Sequence, residues 1–195
     1  MFRSARFSGL AAAIVVVGLA LPLRAQQETF EVDPAQSKVE FTLGDILHTV
    51  HGTFRLKPGR IGFNKGTGVA SGELVVDANS GDSGNGTRDR KMKKEILETQ
   101  KYPDITFTPR MIKGKVLAQG ASQIAVDGIL TLHGDAHPMT LAIQVNGGSG
   151  STSADTAFVV PYVKWGLKNP STLFLRVNDH VEITVHAVGR LASDP

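Results

Sequence analysis

Apolar and polar residues alternate with a period of two through most of this chain, and this alternation constrains its fold more than any other feature. Val39, Phe41 and Leu43 alternate with polar residues, and Ile105 and Phe107 do the same further along. A period of two places every second side chain on one face of a β-strand, which is typical of strands with one buried face. The same pattern recurs in residues 48–56, 72–76, 124–132, 139–145, 158–162 and 181–187.

Residues that favour turns separate these segments. Residues 57–59 (Lys-Pro-Gly) and 146–148 (Asn-Gly-Gly) combine a fixed φ angle with a permissive backbone, which tight reversals need. Eight or more short strands joined in this way predict an all-β fold with one short helix, either a sandwich or an antiparallel eight-stranded β-barrel. A membrane-spanning barrel is disfavoured, because its aromatic girdles are hard to build from two Tyr and one Trp.

One segment has the pattern of a helix instead of a strand. We predict a helix over residues 87–99, with Thr87 as its N-terminal cap and Met92, Ile96 and Leu97 as its apolar stripe. This stripe is either a lid over a ligand or a plug for one end of the barrel.

Residues 1–25 have the features of a signal peptide. Arg3 and Arg6 precede an uncharged apolar run at residues 10–21, which is short for a membrane span, and a cleavage site follows at residues 23–25. We therefore expect residues 1–25 to be removed and residues 26–195 to form one barrel domain outside the cytoplasm, periplasmic or secreted. An uncleaved membrane anchor is the alternative.

The charge of the chain becomes balanced once this segment is set aside. Residues 1–25 contain three Arg and no acidic residue, so the rest of the chain carries 18 basic and 18 acidic residues. A neutral domain lacks the basic footprint that nucleic acids require, and we expect no nucleic-acid partner. The chain has no Cys and therefore no disulfide, but about 170 residues can bury enough apolar surface without one.

The residues on the predicted inner face are almost all aliphatic or Phe. A ligand held among them has to be apolar, because polar groups buried without partners are costly. The predicted contacts of such a ligand are Phe41, Leu43, Val50, Phe54, Met92, Ile96, Leu97, Phe107, Leu130, Leu132, Leu141, Ile143 and Ile183.

Several spaced motifs resemble those of the YceI-like family, which are exported, lipocalin-like barrels associated with the binding of polyisoprenoids and lipids. The two more specific motifs are Arg-Asp followed by Tyr-Pro-x-Ile-x-Phe, and Gly-x-Leu-Thr-x-His-Gly. The matching residues are, in chain order, Phe30-x-x-Asp33, Ser37-x-Val39-x-Phe41, His48-x-x-His51-Gly52-x-Phe54, Arg88-Asp89, Tyr102-Pro103-x-Ile105-x-Phe107, Gly128-x-Leu130-Thr131-Leu132-His133-Gly134, Pro138-Met139-x-Leu141 and Trp165-Gly166-Leu167.

This resemblance implies a lipocalin-like barrel around an elongated apolar tunnel, with a helix near one end. The implied function is an exported binding protein that holds a long isoprenoid-like lipid, such as a quinone, a polyprenol or a fatty-acid derivative, for transport, storage or scavenging. We expect no catalysis and no cofactor other than the bound lipid. The oligomeric state is left open, with a homodimer as one alternative.

Arg88 and Asp89 are the predicted polar contacts of the ligand, at the mouth of the cavity. The structural alternative is that Asp89 interacts with the helix N-terminus and Arg88 braces a neighbouring loop. The nearby Lys91, Lys93 and Lys94 form a basic cluster, which is either a solvated face or a surface for transient contact with anionic lipid head groups.

Three other functions have weaker support in the sequence. His133 and His137 resemble a metal-binding pair, although no further ligand lies close in sequence. An enzyme is disfavoured because the chain has no Cys and no Gly-x-Ser-x-Gly motif, but a cluster of His51, His133 and Asp135 around an open cavity would favour one. A stress-linked interaction module would have a barrel filled by its own side chains.

Overall fold

Ten β-strands make up most of the computed structural model, which describes residues 27–44, 49–171 and 176–193. The predicted signal peptide, residues 1–25, lies outside the described residues, as does His48. The strands are β1 (Gln27–Val32), β2 (Lys38–Gly44), β3 (Thr49–Leu56), β4 (Arg60–Asn64), β5 (Ala70–Asp82), β6 (Asp104–Lys113), β7 (Gly120–Leu132), β8 (Asp135–Gly147), β9 (Thr152–Val160) and β10 (Val181–Ser193).

The strands close into a ring in which all neighbours are antiparallel. The order is β5–β3–β2–β10–β9–β8–β7–β6, and β6 pairs again with β5. The two remaining strands lengthen the ring along its axis. β1 and β2 lie end to end and both pair with β10. β3 and β4 lie end to end and both pair with β5. The molecule is therefore an up-and-down barrel of eight strands, two of them long and bent, and the predicted fold is confirmed.

The two long strands bend where short turns interrupt them. Between β1 and β2, Ser37 replaces a missing backbone partner: its hydroxyl donates to the Asp33 carbonyl at 2.7 Å and accepts from the Val188 amide at 2.9 Å. Between β3 and β4, the Gly59 carbonyl accepts from the Val32 amide at 3.0 Å. These bonds keep the wall continuous across the bends, so backbone groups do not remain unpaired inside it.

The helical segment follows β5 and lies at the upper end of the barrel. Its α-helix, α1 (Gly86–Lys91), widens into a π-helical turn (Met92–Ile96), in which the Leu97 amide donates to the Met92 carbonyl at 2.9 Å. The predicted cap at Thr87 is wrong, because the Asn85 side chain accepts from the amides of Thr87 and Arg88. Neither helical element in the described residues has the length and hydropathy that a membrane crossing would need.

The β7–β8 hairpin turn and the long connection after β9 lie at the same upper end. His133 and Gly134 form the two-residue turn, both with positive φ angles (56° and 85°) that such hairpins require. After β9 the chain continues as a strap, residues 161–171, before it returns to β10. The turns β4–β5, β6–β7 and β8–β9 lie at the opposite, lower end.

The pairing between β8 and β9 covers only the lower part of these strands. Residues 144–147 pair with residues 152–155, whereas residues 139–143 and 156–160, all of them described, form no paired register with each other. In this upper stretch the Thr156 hydroxyl donates to the Ala142 carbonyl at 2.8 Å. We call residues 139–143 and 156–160 the β8–β9 seam. Above it, the His137 ring of β8 stacks on Trp165 of the strap, with ring centroids 3.8 Å apart and planes at 5°.

Candidate functional site

The barrel encloses an apolar cavity of about 670 Å³. Every strand contributes inward-facing residues to its wall, because the pleat turns alternate side chains toward the barrel axis. The barrel is therefore not filled by its own side chains, and the space is of the size that holds one small or slender ligand.

All thirteen apolar residues predicted from the sequence line this cavity. Ten of them come from strands β2, β3, β6, β7, β8 and β10, and one strand pair shows their arrangement: Leu130 and Leu132 of β7 face the same space as Leu141 and Ile143 of β8. The others, Met92, Ile96 and Leu97, come from the helical segment and form part of the upper cover. Their contact with a ligand stays a prediction.

The lower part of the cavity contains residues that were not predicted from the sequence to contact a ligand. Phe30 of β1 and Ile61 and Phe63 of β4 line it, and both strands have only five or six residues. In each of these two strands the apolar and polar residues alternate only once, and so short a pattern cannot distinguish a strand from a loop. The remaining lining residues missed in the same region are Ile112, Val116 and Leu191.

Two glycines on the inner wall leave room for phenylalanine rings. A Cβ atom at Gly52 would overlap the Phe41 ring, and one at Gly128 would overlap the Phe107 ring. Each ring therefore lies flat against the backbone of a neighbouring residue instead of projecting into the cavity. Phe41 also contacts Phe54, with ring centroids 5.4 Å apart.

The strap closes the upper end beside the helical segment. Tyr162 and Leu167 are both buried and line the cavity, and the Leu167 amide donates to the Tyr162 carbonyl at 3.0 Å. The Tyr162 hydroxyl donates to the Asn178 carbonyl at 2.5 Å, which joins the strap to the residues that precede β10. Burial raises the pKa of the Tyr162 hydroxyl, and the negative charge of Asp179 adds to this effect.

One side of the upper end is polar, and we call it the mouth. Its residues are Ser83, Asn85, Thr87, Arg88 and Lys91, which line the cavity together with the apolar wall. Arg88 donates through Nε to the Ser83 hydroxyl at 2.7 Å and through Nη2 to the Ser83 carbonyl at 2.8 Å. These bonds use two of its five N–H donors, so Arg88 both braces this loop and faces the cavity.

Asp89 does not line the cavity, unlike its neighbour Arg88. Its carboxylate is 9% exposed and accepts from the backbone amide and the hydroxyl of Ser83, at 3.0 and 2.5 Å. Asp89 therefore holds the loop before α1 through Ser83, a structural role that differs from the interaction with the helix N-terminus offered as the alternative.

The charge at the mouth is positive. Among the described residues that line the cavity, Arg88 and Lys91 are charged and no side chain is acidic. A ligand with its apolar part in the barrel would therefore place its polar end beside two cations, which favours an anionic or acceptor-rich head group.

The five histidines among the described residues do not line the cavity. His133 packs on the Tyr102 ring with centroids 4.4 Å apart, and its Nε2 atom lies 3.5 Å from Glu98 Oε2. His137 stacks on Trp165, and His51 contacts the Thr42 hydroxyl through Nδ1 at 3.0 Å. Within the described ranges, no group of three or more His, Asp or Glu side chains is placed to hold a metal ion.

The arrangement that would favour an enzyme is not formed. His51, His133 and Asp135 do not line the cavity, although all three belong to the described residues. The cavity wall therefore presents apolar surface, hydroxyl and amide groups and two cations.

Comparison with known proteins identifies relatives along nearly the whole barrel. A family model described as the YceI-like domain matches residues 30–189. The UPF0312 protein VPA0850 of Vibrio parahaemolyticus is 26% identical over 181 residues, covering 90% of this chain and 94% of that protein. A UPF0312 protein of Vibrio campbellii has the same identity and coverage.

Solved structures share the fold at lower sequence identity. Burkholderia cenocepacia BcnA superposes with a TM-score of 0.66 and 21% identity, over 82% of this chain and 99% of that one. A polyisoprenoid binding domain from Saccharophagus degradans, implicated in plant cell wall breakdown, gives 0.60 and 17%, over 85% and 98%. The YCEI protein of Campylobacter jejuni gives 0.57 and 18%, over 76% and 87%.

Proposed function

This chain belongs to the YceI-like family, and on that premise we propose that it is a non-catalytic binding protein that holds a long apolar lipid inside its barrel. The observation that carries the proposal is the cavity of about 670 Å³, whose wall outside the mouth is apolar apart from Thr152, Thr156 and Tyr162. The description of the Saccharophagus degradans domain as polyisoprenoid binding supports an isoprenoid-like ligand.

Burial of the apolar tail supplies the affinity. Each 100 Å² of apolar surface removed from water contributes roughly 2.5 kcal/mol, less the cost of immobilising a flexible chain. Rings such as Phe41, Phe54 and Phe107 provide much of the contact area for a slender tail. Burying a tail of several isoprene units thus offsets the loss of its freedom without any covalent bond.

The mouth selects the polar end of the ligand. Arg88 and Lys91 donate hydrogen bonds, so the carbonyls of a quinone, the hydroxyl of a polyprenol and the carboxylate of a fatty acid all have partners there. We propose that the head group stays at this mouth while the tail extends toward Phe30 and Phe63 at the lower end.

The proposed location is outside the cytoplasm, periplasmic or secreted, on the support of the signal-peptide features of residues 1–25. There the barrel would carry, store or scavenge a lipid that water does not dissolve. No cofactor beyond this lipid is proposed.

Native mass spectrometry of the protein purified from its own cells, with organic extraction of the same sample, tests this function. We expect a discrete added mass that organic solvent releases and that matches an isoprenoid or acyl compound. If the mass is bare and stays bare after incubation with quinones, polyprenols and fatty acids, the proposal is wrong.

A pair of variants on one strand localises the ligand. Val126 lines the cavity and Gln123 is exposed on the outside of the same strand, β7. Val126→Phe narrows the cavity and is expected to reduce lipid occupancy severalfold, whereas Gln123→Phe leaves it unchanged. Equal occupancy in two correctly folded variants would place the ligand elsewhere.

A further inference from the structure

The outer side of the helical segment carries a concentration of positive charge. Five of the eleven residues 86–96 are basic, and two are acidic. Of the two acidic residues, Asp89 is buried and bonded to Ser83, so Glu95 is the exposed one. We call the five cations the basic patch: Arg88, Arg90, Lys91, Lys93 and Lys94.

Neighbouring carboxylates do not neutralise the basic patch. In the part of the chain that the structure describes, none of its five side chains forms an ion pair. All are exposed except Lys93, which is half-buried. The segment 86–96 has a net charge of +3, whereas the rest of residues 26–195, with 13 basic and 16 acidic residues, has a net charge of −3. Residues 26–195 are neutral overall, but their charge is unevenly distributed along the chain.

The basic patch is continuous with the mouth of the cavity. Arg88 and Lys91 belong to both, and Met92 and Ile96 of the same segment line the cavity from within. A surface that contacts the patch therefore lies beside the opening, separated from the apolar interior by one layer of helix.

We propose that the basic patch docks the barrel, mouth first, on the surface of an anionic lipid bilayer. Each Lys or Arg near such a surface adds attraction that decays within a Debye length, about 8 Å at physiological ionic strength. The rest of residues 26–195 has a net negative charge and is repelled by the same surface, so the mouth faces the bilayer. This inference deepens the proposed function, on which it rests, by naming where the lipid is exchanged.

Vesicle sedimentation tests the docking without any cargo. The probe is vesicles of phosphatidylcholine with and without phosphatidylglycerol, and the protein is purified as the cell produces it, with its N-terminus determined by mass spectrometry. We expect sedimentation with the anionic vesicles only, and its loss when the Debye length falls to about 3 Å at 1 M salt. The triple variant Arg90→Gln, Lys93→Gln, Lys94→Gln lowers the partition coefficient roughly a hundredfold.

A matched control variant removes three positive charges from the surface outside the basic patch. Arg110, Lys115 and Arg190 are exposed and lie outside the helical segment, so Arg110→Gln, Lys115→Gln, Arg190→Gln is expected to sediment nearly as the wild type does. An equal loss in both triple variants would show a response to net charge alone and overturn the proposal. Failure of the wild type to bind anionic vesicles would also overturn it, and would make an acidic macromolecule the better candidate partner.

A second experiment measures the orientation of the protein on the bilayer, and it does not require the triple variant to fold. The chain has no Cys, so single replacements allow specific labelling. A polarity-sensitive dye at Gln100→Cys, next to the helical segment, is expected to shift its emission on anionic vesicles, and one at Leu117→Cys, at the lower end, is not. A shift at Leu117→Cys alone would contradict mouth-first docking. If the protein docks in this way but never takes up lipid, the proposed function fails and the docking proposal stands.

Discussion

Gly52 and Gly128 determine how open the cavity is, although neither contributes a side chain to it. Phe41 and Phe107 occupy the space that a Cβ atom at these positions would need, so their rings lie along the wall. A glycine in a strand interior weakens the strand, and its presence here is explained by the close approach of a ring.

Gly52→Ala is expected to move the Phe41 ring into the cavity. The new Cβ atom would also approach the Asp82 carbonyl oxygen at 2.5 Å, so we expect a loss of roughly 1–3 kcal/mol in the free energy of unfolding, as for other overpacked sites. Affinity for a long-chain prenol should fall about tenfold, measured by equilibrium titration.

The double variant Gly52→Ala, Phe41→Leu separates these two effects. Leucine needs less room beside the new methyl group, so the double variant should recover affinity while the backbone part of the instability remains. Unchanged affinity in Gly52→Ala would contradict the role assigned to this glycine.

Alternation was sufficient to identify the ten predicted lining residues that lie on strands, because the pleat fixes the face of each residue once a strand is recognised. It was not sufficient for Leu167, which lines the cavity from the strap, where the backbone has no repeat. Alternation also could not predict that Arg88 lines the cavity whereas Asp89 does not, since this difference depends on the position of Ser83 in space.

At the scale of elements, the position of the strap depends on one buried hydroxyl group, that of Tyr162. Tyr162 donates to the Asn178 carbonyl, and its raised pKa means that the neutral form is favoured in the folded state. A group whose folded pKa is raised contributes stability below its unfolded pKa, here 10.0, and loses that contribution as the pH rises through the higher folded value.

We therefore expect the strap to loosen at a pH above 10. The measurement is tyrosinate absorbance in the Tyr102→Phe background, which leaves Tyr162 as the one remaining tyrosine, together with the unfolding free energy across the same range. Tyr162→Phe should lack this alkaline loss of stability. An ordinary or lowered pKa for Tyr162 would contradict the expectation.

The N-terminal cap of α1 gives a second test at this scale. Asn85→Ala removes the oxygen that accepts from two amides, which is expected to cost about 1 kcal/mol locally and to raise tryptic cleavage between residues 88 and 94 roughly fivefold. Thr87→Ala removes the residue that the sequence indicated as the cap and should change cleavage less. The reverse order of sensitivity would contradict the observed capping.

The cap was misplaced by two residues because both Asn and Thr are good caps, and only the backbone distinguishes them. Asn85 has an extended φ of −136°, whereas Thr87 already lies within the helix. The strands β1 and β4 were missed for another reason: they are short, and their pairing partners, β10 and β5, are distant in sequence.

For the whole molecule, eight alternating segments predicted a sandwich or a barrel, and the resemblance to the YceI-like family indicated the barrel, in which closure removes exposed strand edges. The extent of each ladder was not predictable, since registers between strands depend on long-range geometry. The incomplete β8–β9 ladder is therefore a finding of the structure alone.

Hydrogen exchange is expected to reveal this seam. Peptides that cover residues 139–143 should exchange faster than peptides that cover residues 125–128 of β7, which pair on both sides. The comparison is made on one protein sample, so differences in global stability cannot produce it. Equal protection of the two segments would show that the seam is as firmly closed as a paired ladder.

The seam makes the circumference of the barrel adjustable. Strands joined by complete ladders cannot separate without breaking backbone hydrogen bonds, whereas β8 and β9 are held at the seam by the Thr156 hydroxyl and, above it, by the stack of His137 on Trp165. In mechanical terms the upper barrel is a split ring, which widens at its gap when loaded from within. Under the proposed function, a thicker lipid would be accommodated there by elastic expansion, and the stiffness of this one joint would limit the width of the ligand more than the volume of the resting cavity would.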